Sequence, residues 1–222
     1  MSSRLQKKVA VILSGCGVYD GAEIHESVLT LLSIEQNGAV YKCYAPDMNQ
    51  YHVINHLTGE ESSEQRNVLV ESARIARGDI EPLASLRVAD FDALIVPGGF
   101  GAAKNLSDFA FEGAELRVQV DVLVAVKSFA EAGKPIGLIC IAPVMAGHVF
   151  AEGVVATIGN DSTTAEAMTQ TGVTHQICAV DDIVVDEPHK LVTTPAYMLA
   201  KNISEAASGI NKLVGKVLEI SG

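Results

Sequence analysis

Short apolar runs, each separated by a longer amphipathic stretch, dominate the pattern of hydrophobic and polar positions along the chain. Runs of four to seven mostly apolar residues are typical of strands buried on both faces of a parallel sheet. They are predicted at residues 9–13, 39–45, 91–96, 136–139, 154–158, 183–186 and 191–194. Helical periodicity predicts helices at residues 22–36, 64–77, 116–132, 164–171 and 203–220, with Asn202 as the cap of the last one.

Strands alternate with helices throughout, which predicts a doubly wound α/β domain with a mostly parallel sheet and helices on both faces. In the first helix we expect Ile24, Val28, Leu31 and Leu32 to form the buried face, with Glu26 turned away from it. No repeat or linker interrupts the 222 residues, so a single domain is expected over residues 1–222.

Composition narrows the function classes. A net charge of -11 argues against nucleic acid or an anionic membrane as a partner. No apolar run is long enough to span a bilayer, and the amino terminus lacks a signal-peptide layout, so a cytoplasmic protein is expected. The four cysteines show no C-x-x-C spacing, and neither a metal nor a cofactor is expected.

Residues 134–143, KPIGLICIAP, contain the strongest candidate for chemistry. A strand that ends at Cys140 and passes directly into a helix resembles a nucleophile elbow, and the nearby helix dipole is expected to favour the thiolate. The elbow pattern has glycine two residues to either side of the nucleophile, whereas here those positions hold Leu138 and Ala142. A buried, unreactive cysteine therefore remains the alternative that these residues leave open.

Two further segments follow strands and should lie near Cys140, because the carboxyl ends of parallel strands meet at one edge. Glu23 and Glu26 begin the first helix, where either could exchange a proton with a thiol or simply cap the helix. Gly98 and Gly99 follow the strand at 91–96 and could supply oxyanion-binding amides or form an ordinary tight turn.

Other arrangements are weaker. Gly15, Gly17 and Gly21 come close to a dinucleotide-binding turn but fail the strict spacing, and the neighbouring glutamates would repel a pyrophosphate. A nucleotide-binding module is the alternative from a different class. Ile141 directly follows the cysteine, so the sequence provides no Cys–His pair there, although His25 is a candidate helper beside the glutamates.

The segments GAEIHE, VPGGFGAAKNL, GLICIAP and VTTPAYML together resemble the PfpI, class I glutamine amidotransferase-like superfamily. Within it, SGCGVYDG, VINHLTGE and VDDIVVDE are similar to the enhancing-lycopene-biosynthesis (ElbB) branch, over nearly the whole chain. The resemblance implies a flavodoxin-like fold and a homodimer. Protease-like relatives place His directly after the cysteine, where this chain has Ile141, so peptidase activity is not expected.

The resemblance also implies a chemistry. It makes Cys140 the reactive cysteine, Glu26 the acid that hydrogen-bonds it and Glu23 a second family acid, with oxyanion amides at Gly98, Gly99 and Ile141. The expected activity is a cofactor-free glyoxalase acting on a small aldehyde such as glyoxal, or the related protein deglycation. A redox sensor or regulatory binding protein whose cysteine does not turn over is the alternative.

Overall fold

The computed structural model describes residues 6–222 and contains one seven-stranded sheet flanked by helices. The strands are β1 (Lys8–Ile12), β2 (Val40–Ala45), β3 (Ile80–Pro82), β4 (Ala93–Val96), β5 (Ile136–Ile139), β6 (Val155–Ala156), β7 (Thr174–His175), β8 (Val184–Asp186) and β9 (Leu191–Thr194). The helices are α1 (Ile24–Gln36), α2 (Val68–Ile75), α3 (Phe100–Lys104), α4 (Phe109–Glu112), α5 (Val120–Glu131), α6 (Ala146–Val149), α7 (Ser162–Gln170) and α8 (Ile203–Glu219). Short 3-10 turns include Ala142–Met145 and Ala196–Met198.

The main sheet has the strand order β3-β2-β1-β4-β5-β9-β8, parallel except for β8, which pairs antiparallel with β9. The predicted single-domain, doubly wound α/β fold is therefore confirmed. The strand order reverses between β1 and β4, and this is the point where open α/β sheets bind ligands. The predicted strand at 154–158 is only the two-residue β6, which pairs with β7 outside the main sheet.

Two apolar layers cover the sheet. The first layer contains Phe129 together with the remaining buried residues of α5. The second layer contains Ile34 of α1 and Leu213 of α8. Most predicted strands are found within two residues of their expected bounds because continuous apolar runs are buried on both faces. No helix within residues 6–222 is long and apolar enough to cross a membrane. The expected absence of a signal peptide rests partly on residues 1–5, which lie outside the described residues.

The buried face of α1 differs from the expectation. Ile24, Val28 and Leu32 are 42%, 49% and 45% exposed, and Leu31 is the one predicted face residue that is buried. The inner face is mostly polar instead and includes Glu26, which is fully buried. The helix is rotated so that a carboxylate points toward the sheet edge where β4 and β5 end.

Candidate active site

Cys140 directly follows β5 and adopts a left-handed backbone conformation with φ of 61°. This conformation is unfavourable for a residue with a side chain, by about 1–2 kcal/mol. The Cys140 N–H donates to the carbonyl of Thr194 at 2.9 Å, which fixes the turn against the end of β9. The sharp strand-to-turn geometry is that of a nucleophile elbow.

The space around the Cys140 side chain is provided by Gly98, which follows the neighbouring strand β4. A Cβ added at Gly98 would lie 2.5 Å from Cys140 Cβ and 2.8 Å from Glu26 Oε2. Both distances are too short for real contacts, so a side chain at Gly98 would collide with Cys140 and Glu26. Gly98, which follows β4, therefore provides the space that glycines within the elbow itself would otherwise provide. This explains how the turn tolerates Leu138 and Ala142 at the positions where the pattern has glycine.

Glu26 is the acidic partner of the thiol. Its Oε2 accepts a hydrogen bond from the N–H of Gly98 at 2.9 Å, and its Oε1 accepts one from the N–H of Tyr197 at 3.1 Å. The carboxyl group and the Cys140 side chain both adjoin Gly98, and each affects the pKa of the other. Two amides therefore fix Glu26, which the helical pattern had placed on the outer side of α1.

Glu23 has the capping role that the sequence left open. It is the N-cap residue of α1, and its Oε2 accepts the backbone N–H of Glu26 at 2.7 Å. The negative charge of Glu23 contributes to raising the pKa of Glu26. Glu23 thus positions and tunes Glu26 through the first turn of the helix.

Burial raises the pKa of Glu26 from its ordinary value of 4.5 to about 7. The hydrogen bonds from Tyr197, Cys140 and Gly98 oppose this rise, and burial outweighs them. The pKa of Cys140 is raised well above its ordinary value, first by burial and then by the charge of Glu26. Near neutral pH the thiol is therefore protonated and Glu26 is partly protonated, so the pair retains more protons than two isolated groups would.

The raised pKa of Cys140 differs from the expectation of a thiolate stabilised by a helix dipole. The segment after Cys140 is a 3-10 turn of four residues rather than a long helix, so its dipole is small. The N–H groups of Gly99 and Ile141 do hydrogen-bond the sulfur and lower its pKa, but burial dominates. The Cys140 thiol is therefore not expected to ionise on its own near neutral pH.

The three candidate oxyanion amides divide into two roles. Gly99 and Ile141 direct their N–H groups at the sulfur, so both are placed to bind a negative charge that develops beside it. The Gly98 N–H is engaged by Glu26, and its carbonyl accepts the N–H of Glu23 at 3.0 Å. Gly98 therefore holds the acid rather than facing the sulfur, in contrast to the expectation.

His25 lies on the outer side of α1, with about half of its side chain exposed. Its Nδ1 is 2.8 Å from the hydroxyl of Tyr197 and 4.0 Å from Glu23 Oε1. The backbone of Tyr197 holds Glu26, so His25 connects to the site through the tyrosine. Sequence reasoning missed Tyr197, because it acts through a backbone amide; the left-handed φ of 44° at Ala196 turns that amide toward Glu26.

The glycine loop after β1 is filled by its own backbone. A Cβ at Gly21 would lie 2.3 Å from the nitrogen of Cys16, and the N–H of Gly17 donates to the carbonyl of Ala22. Glu23 already occupies the start of α1. A pyrophosphate would need both the loop amides and the helix start, so this geometry disfavours the nucleotide-binding alternative.

Cys140 is 7% exposed, so neighbouring residues cover almost all of it. A cavity of about 740 Å³ lies at the opposite, amino-terminal edge of the sheet, next to Lys7, Gly38 and Asp92, and plays no part in this site. Within residues 6–222 no three His, Cys, Asp or Glu side chains are grouped so that they could hold a metal ion.

Comparison with known proteins identifies relatives over nearly the full chain. The chain is 48% identical over 225 residues to the human "Glutamine amidotransferase-like class 1 domain-containing protein 3, mitochondrial", covering 97% of this chain and 84% of that protein. It is also 48% identical over 229 residues to the rat "ES1 protein homolog, mitochondrial", covering 99% and 86%. No family model matches.

Relatives with the same fold are also found among solved structures. The crystal structure of an isoprenoid biosynthesis protein with an amidotransferase-like domain from Ehrlichia chaffeensis superimposes with a TM-score of 0.91 at 36% identity, covering 96% of this chain and 99% of that chain. Drosophila melanogaster DJ-1beta, at 18% identity and a TM-score of 0.55, covers 97% and 96% and shares the fold.

The human and rat relatives are both named as mitochondrial proteins, and this contradicts the cytoplasmic location expected from the amino terminus. The expectation was wrong because a first strand preceded by a few basic residues carries no information on compartment. The identity over nearly all of the chain shows the family: the chain belongs to the ES1 group of class I glutamine amidotransferase-like proteins and has the DJ-1/ThiJ/PfpI fold.

Proposed function

We propose that this protein is a cofactor-independent glyoxalase that converts glyoxal, or a similar small 2-oxoaldehyde, to the corresponding hydroxy acid. The observation that carries the proposal is the fully buried Glu26 carboxyl, which lies beside the Cys140 side chain and whose pKa is raised by burial to about 7. An acid–base group is most effective when its pKa lies near the working pH. Glu26 meets that condition, and it adjoins the nucleophile.

The reaction begins with transfer of the thiol proton to Glu26 as Cys140 Sγ attacks one aldehyde carbon. The new oxyanion receives hydrogen bonds from the N–H groups of Gly99 and Ile141 and takes the proton from Glu26, which gives a hemithioacetal. The Glu26 carboxylate then removes the hydrogen from the attacked carbon, and the electron pair moves onto the second carbonyl to form an enediolate. Glu26 returns the proton to the second carbon while the hydroxyl proton of the attacked carbon moves to the second oxygen, which leaves a thioester of the hydroxy acid on Cys140.

Water hydrolyses the thioester, releasing glycolate when the substrate is glyoxal and restoring the thiol. The attacked carbon is oxidised by two electrons and its neighbour is reduced by two. The conversion therefore balances internally and needs no external oxidant or reductant.

Access to the sulfur favours a small free aldehyde over a sugar adduct on a protein surface. With only 7% of Cys140 exposed, a two- or three-carbon aldehyde fits more readily than a folded protein. The same burial, with the raised pKa of Cys140, disfavours a redox sensor, because peroxide oxidises accessible thiolates. His25 remains a candidate helper that acts through Tyr197.

We also propose that the protein is a homodimer and belongs to a particular branch of its family. The exposed apolar side chains Ile24, Val28 and Leu32 form a stripe along α1, which supports a homodimer formed through this helix. The Ehrlichia relative is titled an isoprenoid biosynthesis protein, which supports assignment to the enhancing-lycopene-biosynthesis branch.

The test is glyoxal turnover in D₂O, followed by NMR of the glycolate produced. We expect deuterium at the glycolate CH₂ group, because Glu26 exchanges its proton with solvent between the two carbons. Cys140→Ala should reduce turnover to the rate without protein. Cys178→Ala, which changes a buried cysteine elsewhere in the chain, should retain it. Full activity of Cys140→Ala would refute the proposal, and glycolate without deuterium would refute the role of Glu26.

A further inference from the structure

A small groove adjoins the active site but uses none of its residues. It has a volume of about 200 Å³ and lies between the loop after β1, the segment at 46–67 and α3. Its lining consists of Tyr19, Ile54, Gly59, Phe100 and Lys104. Helix α3 begins one residue after Gly99, so the groove opens beside the oxyanion-binding turn.

Lys104 gives the groove its single cation. Its Nζ donates to the carbonyl of Tyr19 at 3.0 Å and lies 5.1 Å from the centre of the Phe100 ring. Two N–H bonds of the ammonium group remain available, since only one carbonyl accepts from it. Partial burial lowers the pKa of Lys104, which indicates that water solvates the ammonium incompletely.

The ammonium of Lys104 forms no direct ion pair with a described residue, although Asp20 and Glu61 lie near enough to raise its pKa. The protein contains 27 acidic and 16 basic residues, and Lys42 and Lys216 each contact two carboxylates. Around Lys104 Nζ, by contrast, no carboxylate oxygen from residues 6–222 comes within 4.0 Å. An incompletely solvated cation that no carboxylate contacts directly favours an anion in the groove.

The walls limit what that anion can be attached to. Phe100 and Tyr19 are partly exposed aromatic rings, and Ile54 adds an aliphatic side chain, while Gly59 contributes no side chain at all. A largely apolar recess with one polar group is the usual form of a small-molecule site. The volume is below the roughly 300–1,000 Å³ of drug-sized sites, so the ligand has about the size of benzoate.

We propose that this groove binds a small carboxylate with a flat apolar body, its carboxylate on Lys104 and its body between Phe100 and Tyr19. The proposal goes beyond the glyoxalase function and does not depend on it, because binding involves neither Cys140 nor Glu26. The aromatic rings favour a planar ligand, and the ammonium distinguishes an acid from a neutral compound of the same shape.

Isothermal titration calorimetry of the wild-type chain compares benzoate with benzyl alcohol, its neutral analogue. We expect benzoate to bind at least tenfold more tightly. In ¹H–¹⁵N spectra, benzoate should shift the amide signals of Tyr19, Gly59 and Phe100. Equal affinity for the two compounds, binding of neither, or shifts confined to other residues would overturn the proposal, and none of these measurements requires a variant.

Variants test whether Lys104 is the group that binds the carboxylate. Lys104→Met should weaken benzoate binding at least tenfold, whereas Lys104→Arg should largely retain it. Lys127→Met, on α5 and outside the groove lining, is the matched control and should bind like wild type. Unchanged affinity in Lys104→Met would contradict the assignment. Cys140→Ala should bind benzoate normally whether or not it has lost glyoxal turnover, so the two proposals can fail separately.

Discussion

At the scale of single residues, Cys140 and Glu26 form one titrating unit. Each group is buried, and burial raises the pKa of both; the charge of Glu26 raises the pKa of Cys140 further, whereas the contact with Cys140 lowers the pKa of Glu26. Glu26 is therefore placed to accept the thiol proton, while the amides of Gly99 and Ile141 are placed to stabilise a negative sulfur. The chemistry depends on this exchange more than on an intrinsically acidic thiol.

Replacing Glu26 by Gln tests this coupling. The substitution removes the negative charge that raises the pKa of Cys140, so iodoacetamide should alkylate Cys140 with a midpoint at lower pH than in wild type. Glyoxal turnover should fall by about 10²–10⁴-fold, because the proton carrier is gone. Mass spectrometry of alkylated Cys140 across pH provides the first measurement and glycolate production the second.

The exposed Glu115→Gln is the control for this experiment and should leave both quantities unchanged. Glu26→Gln should also lower stability. The glutamine NH₂ would face an N–H of Gly98 or Tyr197, and an unpaired buried donor costs about 1–3 kcal/mol. An unchanged alkylation midpoint in a folded Glu26→Gln protein would show that the two groups titrate independently.

Gly98 and Gly215 allow a matched pair of glycine substitutions. Gly98→Ala should abolish activity and lower the melting temperature, because its Cβ would lie 2.5 Å from Cys140 Cβ. Gly215→Ala, in α8 with nothing within 4 Å of the added Cβ, should raise stability by about 0.5–1 kcal/mol. Thermal unfolding followed by circular dichroism measures both. A Gly98→Ala protein as stable and active as wild type would contradict the proposal that Cys140 and Glu26 need the space left by the missing side chain.

At the scale of elements, the sequence predicts strands better than it predicts helix orientation. Buried parallel strands are continuous apolar runs, so β1, β4 and β5 could be located directly. The orientation of α1 could not, because hydrophobic periodicity assumes that apolar side chains face inward. Here Ile24, Val28 and Leu32 face outward.

The site was predictable to the extent that it depends on side-chain types. Cys140 stands out at a strand end, whereas the pairing with Glu26 came from family resemblance, since the helical pattern argued against it. The roles of Gly98 and Tyr197 depend on backbone N–H groups, which every residue but proline has. Only the folded chain shows which of these groups point at a carboxylate.

The exposed apolar stripe of α1, formed by Ile24, Val28 and Leu32, predicts that the protein is a dimer. Val28→Glu combined with Leu32→Glu should convert the proposed dimer to a monomer, because two carboxylates would be desolvated in the interface. Size-exclusion chromatography with light scattering measures the mass. Val124→Glu, at an exposed apolar position of α5, should leave it unchanged. A monomeric wild-type protein, or a double variant that remains dimeric, would exclude α1 as the interface.

At the scale of the whole molecule, the buried Glu26 makes stability depend on pH. Its pKa is about 7 in the folded protein and 4.5 ordinarily, so between these values the folded state binds more protons than the unfolded state. Stability from the neutral carboxyl is therefore fully present below pH 4.5 and is lost as pH rises through 7. Relative to Glu26→Gln, the wild-type protein should lose stability between pH 5 and 7.

Urea unfolding at several pH values measures this difference. Other titrating groups are common to both proteins and cancel in the comparison, so the slope isolates Glu26. A wild-type stability that rises with pH relative to Glu26→Gln would mean that the folded-state pKa lies below 4.5 rather than above it.

The hydrogen bond from Tyr197 to Glu26 has a consequence for biosynthesis. The nucleophile is at residue 140, but the amide that holds its acid is at residue 197 of 222. A ribosome must therefore translate almost the entire message before the thiol can acquire its partner. Until then the growing polypeptide carries Cys140 without the full set of hydrogen bonds that holds Glu26 in place.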